Sequence, residues 1–323
     1  MSTSLLKRVQ RGTNIGPFKG LIHGHEKIGK STFLNGAPAV LFADVEKRLS
    51  HIDCAKVAIN SFDEMVGLAE ELSKGGHPYK TLVVDSITVL EKMLKAKIAD
   101  EEGWSEGDAD EYGRWIKLAY NSHWPRFFAL MERLQHEAGM TIWYVAHTAV
   151  RDMKEPKGGE SYNRFRPDLG GNVGPQSWLH HADVVLFADW EDVIRVEGKP
   201  NTKQKVKTST TGRRVAHTTH RPAFDAGNSY NLPEKIPLDY ATFDRLRLES
   251  GKQVEVSVKQ ATELAAGLAE EKRVFALDYI KKHATSLPKI QGLIAKMQAA
   301  ISEQEESEQA EPATAVGAET KKD

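Results

Sequence analysis

The residues 24–31, Gly24-His25-Glu26-Lys27-Ile28-Gly29-Lys30-Ser31, fit the pattern G-x-x-x-x-G-K-[ST] at every fixed position. These types suit the grip of a nucleotide's phosphates. Gly24 and Gly29 allow backbone angles that turn successive N–H groups inward around an anion, leaving a concavity that no side chain fills. Lys30 brings a point charge to the β- and γ-phosphates, and Ser31 offers a hydroxyl to Mg²⁺. The helix expected to open at Ser31 and Thr32 aims its positive end at the same anion. ATP and Mg²⁺ are therefore the expected ligands, with His25, Glu26, Lys27, Ile28 and Thr32 in the binding loop beside the fixed positions.

A loop of this kind works with an acid at the end of a neighbouring apolar strand, which helps to hold the magnesium. Leu82-Val83-Val84-Asp85 supplies one. The plainer role for Asp85 is a helix N-cap before the segment that starts at Ile87. The next residue is Ser86, where many motor ATPases carry a glutamate that activates water, so the base must come from elsewhere. Glu46, just past the apolar run Val40-Leu41-Phe42-Ala43, is the candidate: a carboxylate there can orient and deprotonate water in line with the γ-phosphate. A salt bridge to Lys47 or Arg48 is the alternative.

These residues need rigid elements behind them. Apolar runs at Phe18–His23, Val40–Ala43, Thr81–Asp85, Met140–Ala146 and Ala182–Ala188 read as strands. Helical spacing over Asp63–Leu72 and Trp115–His136 places helices between them. Strands alternating with helices predict an α/β fold with a doubly wound, mostly parallel sheet. Residues 151–178 read as a long connection rich in Lys, Arg, Gly and Pro. Helical periodicity returns over Val256–Ala300, broken near Pro288. The expected organisation is a basic arm at 1–15, a core at 16–250, a helical extension at 251–301 and a disordered acidic tail at 302–323.

The phosphate loop, an apolar strand ending in Asp44-Val45-Glu46, and Val83-Val84-Asp85-Ser86 without a following glutamate together resemble the ATPase core of the RecA recombinase family. The similarity covers roughly residues 16–190, and the short chain looks most like the phage-type RecA-core ATPases. That resemblance implies a catalytic role for Glu46, metal binding at Asp85, and His147 in place of the usual glutamine that senses the γ-phosphate. A strand-end histidine satisfied by a backbone carbonyl is the plainer reading of His147. It further implies a homo-oligomer acting on single-stranded DNA in annealing, recombination or replication-associated repair, often beside a single-strand-binding protein.

The segment after His147 occupies the position of the DNA-binding loop in such proteins. It carries Arg151, Lys154, Lys157, Arg164 and Arg166, with Tyr162 and Phe165 among them. Cations of this kind neutralise backbone phosphates while aromatic rings stack on unpaired bases. Asp152, Glu155, Glu160 and Asp168 in the same stretch weaken that reading, and a solvated connection is its alternative. Arg213 and Arg214, in an expected basic hairpin, are candidates for cations supplied to a neighbouring subunit's phosphates.

Composition bounds the rest. The chain has 323 residues, 28% of them charged, and a formal net charge of −1. That balance excludes neither a nucleic-acid partner nor its absence, because bases crowd Arg195–Arg221 and acids crowd Ser302–Glu319. One cysteine, Cys54, excludes an internal disulfide and a cysteine-held zinc. No apolar run reaches the roughly 18 residues of a membrane span, and the N-terminus does not read as a signal peptide. The expected location is the cytoplasm, the host's if the chain is phage-encoded. The competing functions are a small-molecule kinase on the same loop, an AAA+-type remodeller that uses no DNA, and a non-catalytic ATP-sensing scaffold.

Overall fold

The structure, a computed structural model, describes residues 15–105, 108–109, 111–154, 158–197, 205–268, 270–284 and 286–309. Strands β1 (Lys19–Gly24), β2 (Val40–Asp44), β3 (Ala55–Ala58), β4 (Thr81–Asp85) and β5 (Thr141–Val145) form its centre. A hairpin of β6 (Thr148–Met153) and β7 (Tyr162–Pro167) follows. After it come the long pair β8 (Val184–Glu197) and β9 (Lys205–His217), then the short β10 (Gly227–Asn228) and β11 (Lys235–Pro237). The main sheet runs β11-β9-β8-β1-β5-β4-β2-β3, with β10 added to β8 and the β6–β7 hairpin separate. Pairing is parallel from β8 across to β3, and antiparallel where β9, β10 and β11 join.

The helices are α1 (Lys30–Leu34), α2 (Phe62–Ser73), α3 (Ile87–Glu101), α4 (Arg114–Leu118), α5 (Trp124–His136), α6 (Val173–His181), α7 (Tyr240–Ala266), α8 (Glu270–His283) and α9 (Leu287–Gln309). Strand periodicity divides the core in two. Leu21, Leu82, Val84, Ile142 and Tyr144 face one side with α2, α3 and α5. Their neighbours Ile22, Val83, Trp143 and Val145 face the other, with Phe33 of α1 and Phe243 of α7. A sheet covered on both faces has apolar residues at successive positions, as these strands do. Two compact units divide the chain, one spanning Gly16–Arg247 and the other continuing from Leu248. The second has its own small core, including Ala261, Ala265, Ile280, Ile290 and Ile294.

Several elements depart from expectation. The helix foreseen over Trp115–His136 is α4 and α5 joined by a π turn at Ala119–His123, next to Pro125 in the first turn of α5. Proline has no N–H to continue the ladder, which favours such a widened turn. The connection foreseen at 151–178 is largely the β6–β7 hairpin and α6. Strand β3 was not foreseen, because all four of its residues are exposed and carry no burial alternation. Pro288 lies in the opening turn of α9, and the chain also breaks at Gly267, after α7. Helix α9 runs past Ser302 to Gln309, where a disordered tail was expected. Residues 1–14 and 310–323, the bulk of the basic arm and of the acidic tail, lie outside the described residues. Among the described residues no helix is long and apolar enough to cross a membrane.

Glu91 of α3 is a buried acid tied to the π turn. It accepts the Tyr120 O–H and, at 2.7 Å, the Gly170 N–H. Burial raises its pKa to about 7 against the pull of those two hydrogen bonds. The folded protein therefore keeps this proton while the unfolded chain releases it near the ordinary 4.5. Stability must fall as pH rises from about 4.5 through about 7, by roughly 3 kcal/mol. Glu91→Gln should remove that slope, read as urea unfolding at several pH values. Equal slopes in the two proteins would show that Glu91 keeps no proton on folding.

Candidate active site

The phosphate loop begins where β1 ends. Gly24 has φ 146°, and a Cβ placed on it would lie 2.1 Å from the Ala188 carbonyl oxygen on β8. Any larger residue would push the two strands apart. Ile28 is fully buried and anchors the middle of the loop to the core, while Gly29, at φ 101°, turns the chain into α1. This first helix is short, Lys30–Leu34. The Lys30 ammonium folds back to donate to the carbonyls of Gly24 and His25, both at 2.9 Å. Burial lowers its pKa, opposed by Asp85, Glu46 and Glu26. His25 leans on Phe165 and lies 3.2 Å from Asp189.

Opposite the loop, β4 and β2 bring their carboxyl ends together. The Ser31 hydroxyl donates to Asp85 Oδ2 at 2.6 Å. Burial raises Asp85 to about 6, although the Ser31 bond pulls it down. The Asp85 carbonyl accepts the N–H groups of Val45 and Glu46, at 2.8 and 3.3 Å, and so fixes where Glu46 departs from β2. Ser86, and not Asp85, caps α3 by accepting from Val89 N–H. The same Ser86 hydroxyl donates to Glu46 Oε1. His147 Nε2 donates to that oxygen at 2.7 Å, and Arg48 lies 3.6 Å from Glu46 Oε2. Burial alone would raise the Glu46 carboxyl, but the bonds from His147 and Ser86, with the charges of His147 and Arg48, hold it at about 2. The histidine in turn is set by its own N–H, which donates to the Thr88 hydroxyl of α3 at 3.0 Å.

Lys30, Ser31, Asp85, Glu46 and His147 line one open cleft of about 480 Å³, together with Thr32, Glu26 and Lys27 of the loop. Ser31 Oγ and Asp85 Oδ2 are hard oxygen donors side by side, the kind of set Mg²⁺ takes when phosphates and water complete its shell. Bound there, the ion would neutralise charge on the β- and γ-phosphates.

The basic segment is arranged otherwise than its composition suggested. Arg166 Nε donates to Asp225 Oδ2 at 2.7 Å, and Arg164 Nη1 to Asp225 Oδ1 at 3.4 Å. Both arginine side chains are only 12% exposed, so their charge is spent inside the fold. Phe165 stacks on Phe187, and Tyr162 lies beside the Arg164 guanidinium. Arg151 reaches Asp168 and the Leu169 carbonyl, both at 3.4 Å. Lys154 is exposed, and Lys157 lies outside the described residues. Of the two expected trans-acting cations, Arg213 is 81% exposed near Glu191. Arg214 instead lies against its own chain's phosphate loop, donating to the Ile28 carbonyl at 3.3 Å.

Some participants carried no sequence signal. His23 on β1 is fully buried; its Nε2 donates to the Asp225 carbonyl at 2.7 Å and its Nδ1 accepts from Thr148. Burial lowers its pKa to about 4, so the ring is neutral. It links the phosphate-loop strand to the first residue of β6. Thr88 and Asp225 were also unmarked, because each acts through a partner at least 59 positions away.

A parallel sheet with the phosphate loop at the end of one strand, the acid Asp85 bonded to Ser31 from two strands away on β4, and the carboxylate of Glu46 beside it defines a P-loop ATPase. Residues 17–230 match a family described as AAA domain (AAA_24), and the chain belongs to that family. No curated protein sequence matches the chain. Among solved structures, the flagellar accessory protein FlaH from Methanocaldococcus jannaschii is similar over 66% of this chain and 87% of its own, at 11% identity and a TM-score of 0.30. So distant a likeness says nothing of activity.

Proposed function

We propose that the chain hydrolyses Mg·ATP with Glu46 as the base, and that this turnover drives work on single-stranded DNA in recombination, annealing or replication-associated repair. The observation that carries the hydrolytic part is the shared contact of Ser86 and His147 with one oxygen of Glu46. Water attacks the γ-phosphorus, its proton passes to the Glu46 carboxylate, and the γ-phosphorus–oxygen bond breaks to leave ADP and phosphate. An arriving γ-phosphate competes with Glu46 for the His147 donor. Releasing His147 frees the carboxylate for water and moves the residue that immediately precedes β6. Nucleotide state is thereby passed to the β6–β7 hairpin.

What supports a nucleic-acid partner is the placement of that hairpin, with Lys154 exposed and Arg151 half-buried on β6. Arg164 and Arg166 do not contribute. The test is the rate of ATP hydrolysis with and without single-stranded DNA over a salt series. The proposal expects stimulation that fades as salt rises, because phosphate contacts release counterions. Turnover indifferent to nucleic acid, with no gel shift at low salt, favours a second reading: AAA-type remodelling of a protein partner. The neutralised Arg164–Asp225–Arg166 cluster and the AAA family match support that alternative.

A further inference from the structure

We infer that Arg214 is a catalytic arginine acting in cis: the guanidinium that meets the polyphosphate comes from the same chain as the loop that holds it. This rests on the ATPase reading above and departs from the expectation that a neighbouring subunit supplies the cation.

The backbone places Arg214 firmly. It lies on β9 opposite Trp190 of β8, and β8 is the parallel neighbour of the phosphate-loop strand. On its other side its carbonyl accepts the Leu238 N–H at 3.0 Å, just beyond β11. From that position the side chain crosses to the loop, where Nη1 donates to the Ile28 carbonyl at 3.3 Å. A Cβ on Gly29 would lie only 2.4 Å from the same nitrogen, so glycine at that position leaves room for the guanidinium as well as for the turn. The guanidinium lines the cleft that Lys30, Asp85 and Glu46 line.

Its charge balance sets it apart from its neighbours. Arg213 and Lys235 share Glu191, Arg164 and Arg166 share Asp225, and Arg48 lies beside Glu46. Among the described residues, no carboxylate pairs with Arg214, and one carbonyl is the acceptor that holds it. A cation so placed, with most of its donors unspent, is matched to an anionic ligand whose oxygens outbid a neutral carbonyl. As the bond to the leaving oxygen breaks, negative charge builds on the phosphates, and a preset guanidinium stabilises that charge with little reorganisation.

The test uses the full chain with Arg214→Ala, Arg214→Lys and Lys30→Ala. Arg214→Ala is expected to bind Mg·ADP and melt like wild type while its turnover falls by about 100-fold or more. Arg214→Lys keeps charge without the fork and should recover part of the rate. Arg214→Ala and Lys30→Ala chains are then co-expressed with different tags, and assemblies carrying both tags are purified. Action in cis predicts no turnover above that of the parents, since no chain in the mixture has both residues. Turnover restored in the mixed assemblies overturns the proposal, because only a neighbour could then have supplied the arginine. Wild-type turnover in Arg214→Ala overturns it too. If no assembly carries both tags, the loss in Arg214→Ala belongs to a single chain and the proposal stands. Wild-type turnover in Lys30→Ala would instead strike at the ATPase reading itself.

Discussion

Glu46→Gln is expected to keep Mg·ATP bound while its turnover drops by about 10²- to 10⁴-fold, the range for loss of a positioned general base. Glutamine matches glutamate in shape, and its amide oxygen can still accept from Ser86 or His147, so the strand end should hold its course. What disappears is the negative charge and the site for water's proton. Lys30, Ser31 and the loop backbone are untouched, which is why binding and hydrolysis should separate. With His147 and Ser86 bonded to it, the Glu46 carboxyl is held at about 2. When His147 turns to the γ-phosphate that pull is lost, and the carboxylate becomes a better base for water. Single-turnover phosphate release with both proteins checks this. A variant that works within threefold of wild type places the base elsewhere.

Asp225→Ala should be among the most damaging substitutions outside the loop, costing about 3–5 kcal/mol, the usual penalty for stranding a buried charge. Asp225 is 3% exposed and is the carboxylate between Arg164 and Arg166. Its backbone also serves, the carbonyl accepting from His23 and the N–H donating to Phe165. Alanine keeps those backbone bonds and removes only the charge, leaving two guanidiniums facing each other in the hairpin. Urea unfolding reads the stability, and a gel shift with single-stranded DNA reads the function. A loss below about 1 kcal/mol, joined to tighter DNA binding, would mean that the hairpin arginines are free for phosphates and that the cluster is not structural.

The legible part of this molecule was the part governed by local rules. Gly24, Gly29, Lys30 and Ser31 are fixed by what a phosphate requires of eight consecutive positions. Asp85 and Glu46 stand at the ends of apolar runs, and parallel strands bring such ends to one edge of a sheet. The parallel sheet followed from strands alternating with helices. What stayed hidden depended on distant partners. Arg164 and Arg166 looked like a basic loop because the acid that neutralises them, Asp225, comes 59 residues after Arg166. Arg214 looked like a cation offered to a neighbour because nothing local shows that β9 turns back along β8, bringing it to the loop. The π turn beside Pro125 and the exposed edge strand β3 carry patterns that a helix or a loop would carry equally well.

The most direct test of the central claim is calorimetric titration of Mg·ATP into wild-type protein and into Lys30→Ala. If the loop and Asp85 hold a metal-bound triphosphate, the wild type binds one equivalent, and losing the lysine weakens binding severely while the fold melts unchanged. Equal affinity in the two proteins would contradict the account at its root.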